Sequence, residues 1–279
     1  MTDSIRWQRF IGTVGRHALL IAAAVVFLLP FVFIVLTSLM TNDQALSDRL
    51  WPDPFQPSNF IEVFRQAPIL RWTFNTVVYA GLGTLGLLVS SIPVAYALAK
   101  LRWKGRDAAF MVVLVALMLP PQVSVVPLYV MWSKLGLVGT LWPLILPNWL
   151  GDAFTIFLLR QFFLTIPDEY LDAARVDGCG ELRLLFTVVL RMARPAIAAV
   201  AMFSVLYTFN DFFLPLLYVG EKPDNWVVSI GLSQFRNLHQ VQWNLTMAAT
   251  LLVMAPVILL FFAAQKAFVE GITLTGVKG

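Results

Sequence analysis

Two small clusters of polar side chains interrupt apolar sequence, and their types limit the chemistry open to this 279-residue chain. Asp152 follows Asn148 closely, and Asp211 follows Asn210 directly. A carboxylate at membrane depth is costly, so it faces a cavity or a partner. Carboxylates and amides there accept and donate hydrogen bonds to a hydroxyl-rich solute, which makes Asp152, Asn210 and Asp211 candidates for a pathway lining. The competing reading is hydrogen bonding between packed helices. Covalent chemistry finds no support. The sequence holds no Ser/His/Asp, Cys/His or zinc-ligand constellation, and His17 and His239 fall outside the apolar runs. The single cysteine, Cys179, excludes an internal disulfide. No Gly-x-x-x-x-Gly-Lys-Ser/Thr loop is present to cradle nucleotide phosphates.

A third cluster is water-soluble in character and lies between apolar runs, from Ile166 to Pro195. Pro167 suits a first helical turn, where its missing N–H costs little. Asp168 and Glu169 complement the positive end of a helix dipole. Thr165, with Asp168 three residues on, resembles a capping box in which Asp replaces the preferred Glu or Gln. These signals predict a helix to about Asp177, ended by Gly178 as a break or left-handed turn. A second short helix is predicted over about 180–190. Tyr170, Ala173, Ala174 and Asp177 follow the i, i+3, i+4, i+7 spacing of one face. Its alanine centre makes a slim edge that can enter a cleft in a soluble partner. A lipid-bound helix would oppose Trp, Phe or Leu to a Lys/Arg-rich side. Here Asp168, Glu169, Asp172, Asp177 and Glu181 balance Arg175, Arg183, Arg191 and Arg194. The plainer alternative is a solvated connector between two spans.

Composition fixes the elements that must position these clusters. The chain is 59% hydrophobic and 13% charged, against about 45–50% and about 25% in soluble chains. Six apolar runs, at about 18–40, 73–99, 108–132, 140–159, 196–219 and 247–269, can each cross a hydrocarbon core of about 30 Å as a helix. The alternating strands of a barrel are absent from the sequence, so the expected class is an all-α membrane protein. Pro120, Pro121, Pro127, Pro143 and Pro147 predict kinks or breaks in the third and fourth runs. The first run is long for a cleaved leader and ends in bulky Leu39 and Met40, so it reads as a retained span. Gly81, Gly83, Gly86 and Ser90 favour close packing of the second span. Lys and Arg concentrate before the first run, between the second and third, between the fourth and fifth, and after the sixth. The positive-inside rule therefore places both termini and the 166–195 segment in the cytoplasm. The net charge of +4 is read as orientation and not as nucleic-acid binding. The expected layout is an N-terminal cytoplasmic segment (1–17), one permease domain (18–269) with a cytoplasmic loop at about 160–195, and a cytoplasmic tail (270–279).

The run Asp172-Ala173-Ala174-Arg175-Val176-Asp177-Gly178, followed by apolar residues and Pro195, resembles the cytoplasmic "EAA" loop of permease subunits in bacterial ATP-binding-cassette importers. Residues Ala95 to Arg106, Pro127-Leu128-Tyr129 with Leu135-Gly136-Leu137, and Phe209-Asn210-Asp211-Phe212 with Pro215-Leu216 are similar to the carbohydrate-importer branch. The end, Phe268 to Thr273 with Gly276 to Gly279, resembles the six-span member of the maltose-type permease pair. The likeness covers roughly residues 18–279. Two positions depart from it: Asp172 stands where the family usually has Glu, and Leu190-Arg191 replaces a Leu-Pro pair.

The resemblance implies type I importer permease architecture, with six transmembrane helices and a cytoplasmic coupling-helix loop. It implies a sugar-transport subunit and not an enzyme, with no cofactor of its own. ATP and Mg would sit on two separate ATPase subunits. A second permease would complete the pathway, and an extracytoplasmic solute-binding protein would deliver the sugar at the bacterial inner membrane. Pro167, Glu169, Tyr170, Asp172, Ala173, Ala174, Asp177 and Gly178 are then the ATPase-docking residues. The rival class is an ion-coupled secondary transporter of small polar solutes, which usually shows two related halves; no internal repeat is evident here.

Overall fold

Proline and glycine decide where the apolar runs stay straight. The computed structural model describes residues 2–235 and 242–276, and no strand occurs among them. In chain order come α1 (Thr2–Ser38), α2 (Asn42–Ala45), α3 (Asn59–Gln66), α4 (Ile69–Lys100), α5 (Arg106–Met118) and α6 (Gln122–Lys134). Next are α7 (Trp142–Ile145), a 3₁₀ turn (Leu146–Leu150), α8 (Ala153–Thr165), α9 (Asp168–Val176) and α10 (Glu181–Leu184). A π turn (Leu185–Val189), α11 (Leu190–Met192), α12 (Arg194–Asn210) and α13 (Phe213–Val219) follow. After a 3₁₀ turn (Pro223–Asn225) the chain ends in α14 (Val228–Gln234) and α15 (Trp243–Gly276). Thr13–Ser38, Ile69–Lys100, Trp142–Thr165 and Trp243–Phe262 are each long and apolar enough to cross a membrane. Two sharply bent pairs bring the number to six if each is one span.

Breaks appear in the third and fourth runs, as their prolines predict, and the fifth run is corrected. The third run turns by 93° between α5 and α6, because Pro120-Pro121 offers no N–H to continue the ladder. The fourth pauses at Gly151, which sits at φ 98°, and then continues as α8 to Thr165, six residues past the expected end. The fifth does not run from 196 to 219: α12 stops at Asn210, and α13 restarts after Asp211 and Phe212. Its other end bends by 80° against the Glu181–Met192 stretch, just before Pro195. The sixth helix continues through residues 270–276 of the expected tail, and 277–279 lie outside the described residues.

The chain forms two compact units, residues 1–68 with 232–254, and 69–231 with 255–279. In the first, Asn59 organises the segment after α1. Its Nδ2 donates to the carbonyls of Ser38 and Met40 at 2.9 and 2.8 Å, and its Oδ1 accepts from Asn244 Nδ2 at 3.3 Å. In the second unit α4 is the central post, packed by α8, the Leu146–Leu150 turn and α12. Gly86 makes the close approach possible: a Cβ there would lie 2.3 Å from the Trp149 ring. Gly81 faces open space, so the expected glycine seam is narrower than the four residues suggested.

Candidate functional site

Two features of the second unit bear on function: the α9–α11 segment and a cavity beside α4. The inner face of the α9–α11 segment is apolar. Leu171, 1% exposed, joins Ile166, Leu184, Leu185 and Val189 in one core with Tyr96 and Ala99 of α4, Leu159 and Phe163 of α8, and Ala196 and Val200 of α12. The π turn helps here, since its i→i+5 bonding (Leu190 N–H to the Leu185 carbonyl) lets Leu184, Leu185 and Val189 all reach that core. Three spans thus grip the segment from within.

Polar anchors fix its two ends. The Lys100 ammonium, its side chain 5% exposed, donates to the Ile166 carbonyl and to Asp168 Oδ1, each at 2.6 Å. That bond holds the Asp168 carboxyl below the usual carboxylate range. At the other end Arg175 donates through Nε to Glu181 Oε1 and through Nη1 to Asp172 Oδ1, both at 2.9 Å. Hydrogen bonding to Glu181, then to Asp172, pushes the Arg175 guanidinium above its ordinary value. Tyr96 of α4 donates its phenol to Glu181 Oε2. Lys100, Tyr96 and Glu181 carried no such expectation from sequence. Lys100 read only as a basic flank of a span, and its partners lie 66 and 68 positions away.

Asp177 caps α9, and Gly178 takes φ 83°. The N–H groups of Gly178 and Cys179 close a Schellman pair on the carbonyls of Arg175 and Ala174, both at 3.0 Å. The capping box does not form. Thr165 still belongs to α8 and donates its hydroxyl to the Phe162 carbonyl, while the first turn of α9 has Pro167 at its cap and no side-chain acceptor. Pro167, Glu169, Tyr170, Asp172, Ala173, Asp177 and Gly178 are exposed, and Ala174 is half-buried against the core. Three of the four residues of the expected face, Tyr170, Ala173 and Asp177, are thus exposed, and the exposed side also takes in Glu169 and Val176, the latter 88% exposed. Leu182 and Phe186 extend this apolar exposure beyond the turn.

The cavity measures about 540 Å³ and is lined by Tyr79, Leu87, Asn148, Asp152, Phe154, Thr155, Val200, Phe203, Ser204, Tyr207 and Thr208. Asp152 sits just past the Gly151 break, where Oδ2 accepts the Thr155 N–H at 2.7 Å and so caps α8. Ser204 Oγ pairs with Thr84 Oγ1 at 2.8 Å. Asp211 and Asn210 do not line this cavity. Asp211 accepts from Tyr79 Oη at 3.2 Å and from the Leu214 N–H at 3.3 Å, tying the α12–α13 break to α4. Asn210 is exposed and donates to its own helix at the Leu206 carbonyl. Of the three expected pathway residues the structure brings Asp152 to the cavity, with Asp211 one hydrogen bond behind it. Tyr79, Ser204, Tyr207 and Thr208 were missed, because scattered hydroxyls in an apolar helix give no periodic signal.

Residues 91–274 match the family described as binding-protein-dependent transport system inner membrane component. A probable ABC transporter permease protein of Bacillus subtilis, YurM, is 31% identical over 99% of this chain and 92% of its own. The arabinooligosaccharides transport system permease protein AraQ of Halalkalibacterium halodurans is 35% identical over 82% of this chain and 81% of its own. The fold matches a chain of a bacterial ABC transporter that imports the acidic polysaccharide alginate, with TM-score 0.81, 22% identity, and coverage of 92% of this chain and 96% of that one. An apolar helical chain with a gripped, partly exposed loop and a cavity that sets hydroxyls and a carboxylate among apolar side chains is thus a membrane-embedded permease component, and it belongs to the binding-protein-dependent transport system inner membrane component family.

Proposed function

We propose that this chain forms half of the translocation pathway of an ATP-driven, binding-protein-dependent sugar importer, and that α9 to the π turn is where a separate ATPase subunit grips it. The observation that carries this reading is the two-sidedness of α9. Leu171 is sealed into a core shared by three spans, while Val176 stands in water on the opposite side of a nine-residue helix. Val176, with Leu182 and Phe186 beyond the turn, gives the segment exposed apolar side chains that a partner cleft can cover, and the balanced charges of the segment supply a polar rim. Both termini and this loop are cytoplasmic in this reading, in line with the distribution of Lys and Arg.

The arrangement then works as a lever. ATP and Mg reside on the two ATPase subunits, a second permease completes the pathway, and an external binding protein delivers the cargo. Closure of the ATPases pushes on the Val176 side. Lys100, Tyr96 and the Leu171 core pass that push to α4, α8 and α12, biasing them between two global states. A sugar cargo is supported by the AraQ relative, a permease of arabinooligosaccharides. Gly178→Leu tests the docking geometry. Nothing lies within 4 Å of the position, so the change acts through its φ of 83° alone. A left-handed residue with a side chain costs roughly 1–2 kcal/mol, enough to re-aim the end of α9. The variant should insert normally, lose uptake and release the ATPase on purification. Normal uptake with the ATPase retained would refute the reading.

A further inference from the structure

The cavity beside α4 has a definite charge character. Among largely apolar surroundings it presents Tyr79, Asn148, Asp152, Ser204, Tyr207 and Thr208, and among the described residues that line it none is Lys, Arg or His. Asp152 spends one carboxylate oxygen on capping α8. Its Oδ1 has no protein partner among the described residues. Tyr207 is exposed and lines the same cavity as Asp152. Two helix breaks, at Gly151–Asp152 and at Asp211–Phe212, meet this region. Non-helical backbone at membrane depth is tolerated only where protein covers it or water reaches it. The site therefore offers hydroxyls, an amide and an aromatic face beside the Asp152 carboxyl group.

We propose that this cavity is a charge filter, accepting uncharged polyhydroxylated solutes and turning away anionic ones such as uronates and sugar phosphates. The inference rests on the reading of the cavity as part of the translocation pathway, and it narrows that reading to a class of cargo. With the Thr208 hydroxyl donating to the Ser204 carbonyl and Ser204 Oγ paired with Thr84, hydroxyl-rich neutral solutes find a donor and acceptor in the Tyr207 phenol and in the Asn148 amide, and an acceptor in Asp152. An anionic solute meets the Asp152 carboxylate with no cation to neutralise it, a repulsive element of the kind that sets specificity. The alginate importer shares this fold and carries an acidic polymer, so the fold itself does not dictate the sign of the cargo.

The test reads the electrostatic potential of the cavity directly. In the complete importer, with Cys179→Ser as background, Tyr207→Cys is reacted with a cationic trimethylammonium methanethiosulfonate and with its anionic sulfonate counterpart. Ser204→Cys, on the same wall, serves should Tyr207→Cys fold poorly. Rates are normalised to a free thiol. The cationic reagent should be favoured by roughly tenfold or more, the range of a cleft lined by one sign of charge. Asp152→Asn should bring the ratio down towards that of the free thiol. Asparagine caps helices as well as aspartate does, so this change removes charge and leaves α8 intact. Equal reactivity, or preference for the anionic reagent, overturns the charge filter while leaving the pathway standing. Failure of both reagents to reach either cysteine, during turnover as well as at rest, overturns the pathway reading itself.

Discussion

Replacing Lys100 with Met isolates the grip of the membrane domain on its coupling segment. The ammonium is nearly inaccessible and serves two acceptors, the Ile166 carbonyl and Asp168 Oδ1, both at 2.6 Å. Met keeps the unbranched stem and much of the packing while removing the donor. A hydrogen bond from a charged group contributes about 1.5–3 kcal/mol. The pairing with Asp168, two-thirds exposed, adds only about 0–1 kcal/mol. The expected loss is about 1.5–4 kcal/mol for docking of the segment, or roughly 10–700-fold in its opening equilibrium. Amide hydrogen exchange over residues 168–178 of the assembled importer should speed up by that factor, with the middle of α4 unchanged. ATP hydrolysis should persist while uptake per ATP falls, because the lever slips against the spans it must move. Unchanged exchange in this segment, or a uniform rise across the chain, would show that Lys100 is not the anchor described.

Two further outcomes follow from the same geometry. Gly86→Ala should lower thermal stability by about 1–3 kcal/mol through overpacking, because its Cβ would strike the Trp149 ring at 2.3 Å, whereas Gly81→Ala, open to space, should be neutral or gain up to about 1 kcal/mol of helix propensity; melting of the purified importer compares the pair, and equal effects would contradict the packing seam. Asp168 has its folded-state pKa depressed by Lys100, so its contribution is complete above about pH 5 and is lost only as pH falls below about 4. Exchange in the α9 segment, corrected for intrinsic rate, should therefore match between neutral and mildly acidic buffer, and loosening near pH 6 would contradict the assignment.

The sequence made the coupling segment legible where local chemistry decides it. Pro167, the acidic first turn and Gly178 delimited α9 to within a residue or so, and the left-handed end falls where glycine was expected. Proline pairs announced the break in the third span, and Asp152 was singled out beside a break in the fourth. Long-range partnerships escaped. Nothing local tells Lys100 from any basic flank of a span, and Tyr96 and Glu181 meet across 85 positions. Thr165 was misassigned as a cap because helix α8 outran its hydrophobic stretch. Of the face drawn through Tyr170, Ala173, Ala174 and Asp177, packing against the Leu171 core turns only Ala174 partly inward, and Val176 joins the exposed side. For Asp211 the sequence showed the carboxylate but not its partner, Tyr79 of α4, 132 positions away.

The account stands on Val176 being the point at which a nucleotide-driven partner touches this chain. A photoreactive crosslinker on Val176→Cys, in a Cys179→Ser background and in the assembled importer within its native membrane, measures that contact directly. The predicted product is a covalent adduct with the ATPase subunit whose yield changes between the ATP-bound and nucleotide-free states. Adducts with phospholipid alone, or labelling of that cysteine from the outer side of the membrane, would contradict it.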